Sequence, residues 1–321
     1  MTATEIRGQS GHFGPSEGDV DMGTALGSVP IPGPVLTASG CSAFGAELEP
    51  FVDLTALGAV VTKSVQLRPR SGRPTPRMAE TPSGMLNSIG LQNIGMRKLI
   101  RDLAPVWEQW RTPVVVSVLG GSVDEYGACA EALEGVAGVA GIELNISSPN
   151  AMQGGMEFGQ DAQTAAAVTA ACVRATTLPV IVKLTPNVTS ITSIAQACED
   201  AGASALCVIN TLQAMTIDIR DRKPRIARTF AGLSGPAMKP VALRMVWQVS
   251  AAVKIPVIGC GGIMTGDDAI EFLLAGATAV QVGTATFRNP NAPIDVLDGI
   301  ERYMREHRVK DVRKLIGAAR G

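Results

Sequence analysis

Pro179-Val-Ile-Val-Lys183 is followed by Ile191-Thr-Ser-Ile-Ala-Gln-Ala-Cys-Glu-Asp-Ala201 and then by Ala205-Leu-Cys-Val-Ile209. The two flanking runs are short, apolar and rich in β-branched residues, the pattern of parallel strands buried on both faces. The segment between them is longer and carries its apolar residues at helical spacing, so the stretch reads as strand, helix, strand. The same unit recurs along the chain. Further apolar runs lie at Val35-Leu-Thr-Ala38, Ala59-Val-Val-Thr-Lys63, Pro113-Val-Val-Val-Ser-Val118, Ile142 to Ile146, Pro256-Val-Ile-Gly-Cys260 and Ala279-Val-Gln-Val282. Between or after them come amphipathic segments at Met96 to Trp110, Val123 to Val136, Asp161 to Thr176, Ala237 to Val253, Gly266 to Leu274 and Pro293 to Ile316. Eight such units predict an α/β chain folded as a (β/α)8 TIM barrel, with its active site on the loops after the strands' C-terminal ends. A doubly wound open sheet is the alternative, but its G-x-G-x-x-G fingerprint after the first strand is absent.

Two connections are longer than a barrel needs. Gln66 to Leu91 carries Arg68, Arg70, Arg73 and Arg77 among prolines and reads as a solvated loop. Met215-Thr-Ile-Asp-Ile219 and Arg225-Ile-Ala-Arg228 flank Asp221-Arg-Lys-Pro224 and predict a small hairpin over the barrel mouth. Residues 1–28 read as a disordered tail, and 29–321 as one domain.

Composition narrows the chemistry. Twenty-eight basic residues stand against 29 acidic ones, for a formal charge of -1, so no field recruits nucleic acid or an anionic membrane. The six cysteines form no C-x-x-C pair and read as reduced packing residues, not a metal site. No run reaches transmembrane length and the start lacks a signal peptide's pattern, so a soluble cytoplasmic protein is expected. His12 and His307 are the only histidines, and neither falls in a core pattern, which excludes a Ser-His-Asp triad or a histidine-rich zinc centre. Proton abstraction falls to Ser, Cys, Lys, Asp, Glu or Tyr.

Polar residues gather where strands end. Lys63 and Lys183 each close an apolar run, where an ammonium is costly unless an anion meets it; Glu143 is a plausible neighbour, and an anionic ligand is the other. Gly259-Cys-Gly-Gly262 and Gly283-Thr284 follow the seventh and eighth runs, the position at which barrels hold phosphate on backbone N–H groups. Asn87, Asn145, Asn150 and Asn210 bring amides that both donate and accept, suited to a planar ring with alternating carbonyl and N–H groups. Asn145-Ile-Ser-Ser-Pro-Asn150 either ends its strand as an ordinary turn or places a hydroxyl against a reacting proton.

Together with Asn87-Ser-Ile-Gly-Leu-Gln-Asn93, Val182-Lys-Leu-Thr-Pro186, Ile209-Asn-Thr-Leu212, Gly232-Leu-Ser-Gly-Pro-Ala-Met-Lys-Pro240 and Gly259-Cys-Gly-Gly-Ile263, that hexapeptide resembles the dihydroorotate dehydrogenases from about Val29 onward. Thr211 to Asp218 and Gly232 to Pro240 are most similar to the class 1B catalytic subunits. The resemblance implies an FMN barrel that oxidises dihydroorotate to orotate in pyrimidine biosynthesis. It also implies a homodimer whose electrons pass to a separate subunit carrying FAD and an iron-sulfur cluster, and thence to NAD. Carried over by position, it implies substrate contacts from Lys63, Asn87, Ile89, Gly90, Leu91, Asn145, Asn150, Asn210 and Thr211. FMN contacts would come from Ala38, Ser39, Gly40, Lys63, Ser64, Asn145, Lys183, Ile209, Gly235, Gly261, Gly262, Gly283 and Thr284. Lys183 would face flavin N1 and O2, and Pro149 to Gly159 would form a lid. No metal is implied on this chain. Ser148 takes the base position, where class 1 enzymes carry cysteine and class 2 enzymes serine. A natural serine base, a different dihydropyrimidine or enone substrate, and an engineered Cys-to-Ser substitution all accommodate it. A catalytically silent FMN electron-transfer subunit is the competing kind of function.

Overall fold

The computed structural model describes residues 20–147, 152–153 and 156–321. Eight parallel strands form one sheet: β1 (Val35–Thr37), β2 (Val60–Val61), β3 (Val114–Val118), β4 (Gly141–Asn145), β5 (Val180–Leu184), β6 (Ala205–Val208), β7 (Val257–Cys260) and β8 (Ala279–Val282). They run β1-β8-β7-β6-β5-β4-β3-β2 around the sheet. A parallel bridge between Leu36 and Ala59 closes the ring, so the expected barrel is the fold.

The period-two alternation of each strand sorts its side chains into two cores. Outward residues such as Val116, Ile142, Val182, Leu206 and Val280 pack under the helices. Inward residues Leu36, Val61, Val115, Ile181, Ala205, Ile258 and Ala279 fill the barrel. Residues 24–26 and 29–31 pair as an antiparallel hairpin, and its Leu26 and Ile31 join the inner cluster as a plug. The expectation of disorder through residue 28 therefore extends too far: apolar Leu26 leaves water by entering the barrel, and Asp21 is held by Arg313 at 3.0 Å.

Helices cover the outside as expected, with ends set by local capping. Asp161 accepts from Thr164 N at 2.8 Å ahead of Ala162–Ala175. Thr265 and Asp268 form a reciprocal capping box at Gly266–Leu274. The segment expected as one helix from Met96 to Trp110 is two, Met96–Asp102 and Ala104–Trp107, with Pro105 just inside the second.

The mouth is built differently from the sequence expectation. The arginine-rich connection is not wholly a solvated loop: Met78–Thr81 and Gly84–Asn87 form a hairpin within it. That hairpin joins Ala231–Ser234 and Leu212–Ala214 in a four-stranded antiparallel sheet. The insertion after β6 also turns elsewhere, since Ile217–Asp218 pairs with Lys223–Pro224, inside the expected turn. The longer-range pairing of Asn87 with Gly232 and Leu86 with Leu233, sealed by Leu86, Ile226 and Ala231, outweighs the local pattern.

Candidate active site

A cavity of about 280 Å³ opens between the C-terminal strand ends and this sheet. Ala38, Ser39, Gly40, Lys63, Ser64, Asn87, Ile89, Gly90, Leu91, Asn145, Lys183, Ile209, Asn210, Thr211, Gly235, Gly261, Gly262, Gly283 and Thr284 all line it. Ser148 and Asn150, and with them Pro149, Gly154 and Gly155 of the expected lid, lie outside the described residues.

One wall is a chain of hydroxyls and amides. Asn145, the last residue of β4, donates through Nδ2 to Ser64 Oγ at 3.0 Å. Ser64 in turn meets Ser117 Oγ at 2.8 Å and Ser39 Oγ at 3.3 Å. Asn145 Oδ1 accepts from Asn210 Nδ2 at 3.3 Å, and the same Asn210 nitrogen donates to Ser147 Oγ at 2.6 Å. Asn210 Oδ1 accepts from Thr211 N at 2.8 Å. The backbone beneath is pinned too, because buried Tyr126 donates its hydroxyl to Asn145 O at 2.7 Å. Each amide is thus oriented by partners on other strands before any ligand arrives, which lowers the ordering cost of binding a planar polar ring.

The floor carries charge. Inward positions of β4, β5 and β8 place Glu143, Lys183 and Gln281 together inside the barrel. Lys183 Nζ donates to Gln281 Oε1 at 2.8 Å and lies 3.7 Å from Glu143 Oε1. Gln281 Nε2 donates to Glu143 Oε2 at 2.6 Å. Burial acts to lower the Lys183 pKa, but the acidic groups around it, Cys207, Cys260, Glu143 and Cys41, outweigh burial and hold the ammonium well above the ordinary lysine range. Among the described residues Lys63 has no comparable carboxylate, and burial lowers its pKa, with Cys41 opposing. Burial pushes the Cys41 thiol up to about 11. The neighbouring Cys207, aided by Lys183 against burial, brings the Cys260 thiol below its ordinary range, while burial drives Cys207 upward.

The rim is glycine. Gly235, Gly261 and Gly262 have φ of 95°, 129° and 80°, a region that disfavours side chains. A Cβ at Gly262 would sit 2.5 Å from Lys239 N, and one at Gly235 would sit 2.7 Å from Gly84 Cα. These loops can therefore bring backbone N–H groups against an anionic group where any larger residue would clash.

The profile of the family described as Dihydroorotate dehydrogenase matches residues 23–304. The chain belongs to that family. Among curated relatives, a protein of Trichlorobacter lovleyi is 53% identical over 94% of this chain and 99% of its own length. Proteins of Citrifermentans bemidjiense and Desulforamulus reducens are each 52% identical, over 93% and 94% of this chain and 98% and 99% of their own lengths. All three are named Dihydroorotate dehydrogenase B (NAD(+)), catalytic subunit.

Within this dihydroorotate dehydrogenase fold, sequence reasoning missed several cavity residues. Asn187 binds Thr185 Oγ1 at 2.9 Å and accepts from Gln213 N at 2.8 Å, tying the sheet to the end of β5. Its signal was a fifth asparagine near a strand end, in Thr185-Pro-Asn187. Gln281 was visible as the one polar residue in Ala279-Val-Gln-Val282, but nothing local ties it to Lys183. Met78, Met85 and Phe230 reach the cavity only through the long-range sheet and carried no signal. His307 packs beside Tyr303, ring centroids 4.2 Å apart, on the C-terminal helix, and does not line the cavity.

Proposed function

We propose that the chain is the catalytic subunit of a class 1B dihydroorotate dehydrogenase, converting dihydroorotate to orotate in pyrimidine biosynthesis. The observation that carries this reading is the convergence, in one cavity, of the oriented amides of Asn145 and Asn210, and of Asn87, with two lysines and a glycine rim. The residues fit FMN: positive-φ glycines leave room for its phosphate, and the Ser64–Asn145 wall and Lys183 floor offer donors to a flat heteroaromatic ring. FMN, when bound, supplies the hydride acceptor.

The residues divide the work. Gly235, Gly261, Gly262, Gly283 and Thr284 hold the phosphate, while Ala38, Ser39, Gly40, Ser64 and Ile209 border the ring. Lys183 presents its ammonium where negative charge develops during hydride transfer, an electrostatic contribution that grows along the reaction. Lys63, Asn87, Ile89, Gly90, Leu91, Asn150, Asn210 and Thr211 orient the substrate, whose carboxylate and ring amides match their charge and donor pattern, and Asn145 touches both ligands. Ser148 removes the C5 proton as the C6 hydride leaves, and residues 149–159 exclude water. The chain works in the cytoplasm as a homodimer and hands electrons to a separate FAD and iron-sulfur subunit, which reduces NAD.

Co-expression tests the division of labour. The chain alone should form orotate with an artificial acceptor such as a quinone or dye but produce no NADH, and adding the FAD and iron-sulfur subunit should restore NADH formation. Rapid NADH formation by the chain alone would refute the two-subunit reading.

A further inference from the structure

Glu143 is fully buried, Gln281 is 1% exposed, and neither lines the cavity. Beside Gln281 on the neighbouring strands lie Leu36 and Cys260, and beside Glu143 lie Ile181 and the small Ser117, in a barrel interior otherwise filled largely by apolar side chains, so packing alone would favour an apolar side chain at both positions. A buried ion pair costs desolvation, and replacing one with well-packed apolar residues is often neutral or stabilising. Moreover, among the described residues Glu143 Oε1 has no hydrogen-bond partner, a further cost that packing does not explain.

The network has one chemically consistent arrangement. Gln281 Oε1 accepts from both the Lys183 ammonium and the Cys207 thiol, at 2.8 and 3.3 Å, which turns its amide nitrogen toward Glu143. Reversing the amide would set N–H groups against an ammonium and a carbonyl against a carboxylate. Gln281, reaching across the barrel from β8, therefore links two charges carried by the adjacent strands β4 and β5, with Glu143 Oε1 3.7 Å from Lys183 Nζ.

We infer that Glu143 and Gln281 are positioning residues that set how tightly the cavity holds electrons: Gln281 fixes the Lys183 ammonium at the floor, and the Glu143 carboxylate offsets its positive charge. This rests on the reading that FMN occupies the cavity. A lone lysine beneath the ring would favour the reduced form strongly and hinder electrons from leaving. A lysine with a carboxylate behind it still meets developing charge but holds the product state less firmly.

The test is a potentiometric titration of the FMN-loaded full chain. Glu143→Gln removes the offsetting charge and keeps the acceptor for Gln281 Nε2. It should favour reduced flavin at least tenfold, a rise in midpoint of about 30 mV for two electrons. Adding Gln281→Glu restores one carboxylate directly against Lys183, with the glutamine now at 143 donating to it, and should return the midpoint to the parent value. A structural defect would not be reversed by a second substitution in the same core. Glu143→Asp keeps the charge but withdraws it by one methylene, so it should raise the midpoint by less. Should Glu143→Gln fail to accumulate as yellow protein, the Asp variant decides by whether its midpoint rises. The inference is overturned by a Glu143→Gln midpoint within about 10 mV of the parent, roughly a twofold change, or by a double variant that stays as high as the single. A parent chain that binds no FMN overturns the cofactor reading itself and this inference with it.

Discussion

Replacing Lys183 with Met removes one member of a buried ion pair and leaves Glu143 inside the barrel with, among the described residues, only Gln281 Nε2 donating to it. At the observed 3.7 Å, the attraction lost is about 4.5 kcal/mol for an effective dielectric constant of about 20. Measured costs of breaking such pairs fall at roughly 3–5 kcal/mol, so Lys183→Met should destabilise the chain by about 4 kcal/mol. Glu143→Gln alone should cost less, because the unpaired ammonium still lines the cavity and can be hydrated there. The Lys183→Met, Glu143→Gln double variant buries no charge and should recover about 2 kcal/mol or more of the loss, a coupling measurable by a double-mutant cycle. Urea midpoints of the flavin-free chain give these values without a contribution from ligand binding. A Lys183→Met loss below about 1 kcal/mol, or strictly additive effects in the double variant, would show that the pair is not electrostatically coupled.

Other consequences can be checked separately. Ser148→Ala should slow flavin reduction by dihydroorotate roughly 10²-fold or more, the usual worth of a positioned base, whereas Ser148→Cys should speed it near neutrality and add a thiol titration; stopped-flow bleaching equal to the parent in the Ala variant would leave Ser148 a turn residue. Gly262→Ala forces a Cβ to 2.5 Å from Lys239 N at a φ of 80°, so FMN affinity by fluorescence titration should fall at least tenfold; parent-like affinity would remove the rim from phosphate binding. Contact with Cys207 holds the Cys260 thiol below its ordinary range. Its ionisation therefore adds stability that is present above the ordinary thiol range and is lost as pH falls below it. Urea midpoints should show the parent gaining on Cys260→Ser as pH rises into that range, and a pH-independent difference would refute the shift.

How much the sequence disclosed follows from where each interaction is encoded. Buried parallel strands advertise themselves as continuous apolar runs, so Pro179 to Lys183 anticipates β5 to within a residue. Charged residues inside such runs stand out for the same reason, and Glu143 was a legible neighbour for Lys183. Gln281 was not legible as its bridge, because the contact spans 98 residues to Lys183 and 138 to Glu143. The Met78–Thr81 strand was hidden by composition: it is a partly exposed edge strand flanked by arginine and proline, and it pairs with Gly84–Asn87, whose other partner, Ala231–Ser234, lies far along the chain. Residues 20–28 were misread because a Gly- and Ser-rich tail has the composition of disorder, while its one consequential side chain, Leu26, is only 1% exposed as part of the barrel plug.

If this cavity oxidises dihydroorotate with a bound flavin, substrate oxidation and flavin reduction must occur one for one. Anaerobic titration of the purified full chain tests it most directly, with flavin absorbance and orotate followed together. The purified chain should be yellow and should bleach on addition of dihydroorotate, releasing one orotate for each flavin reduced. A yellow protein that dihydroorotate leaves unbleached, under conditions where dithionite bleaches it, would rule this chemistry out.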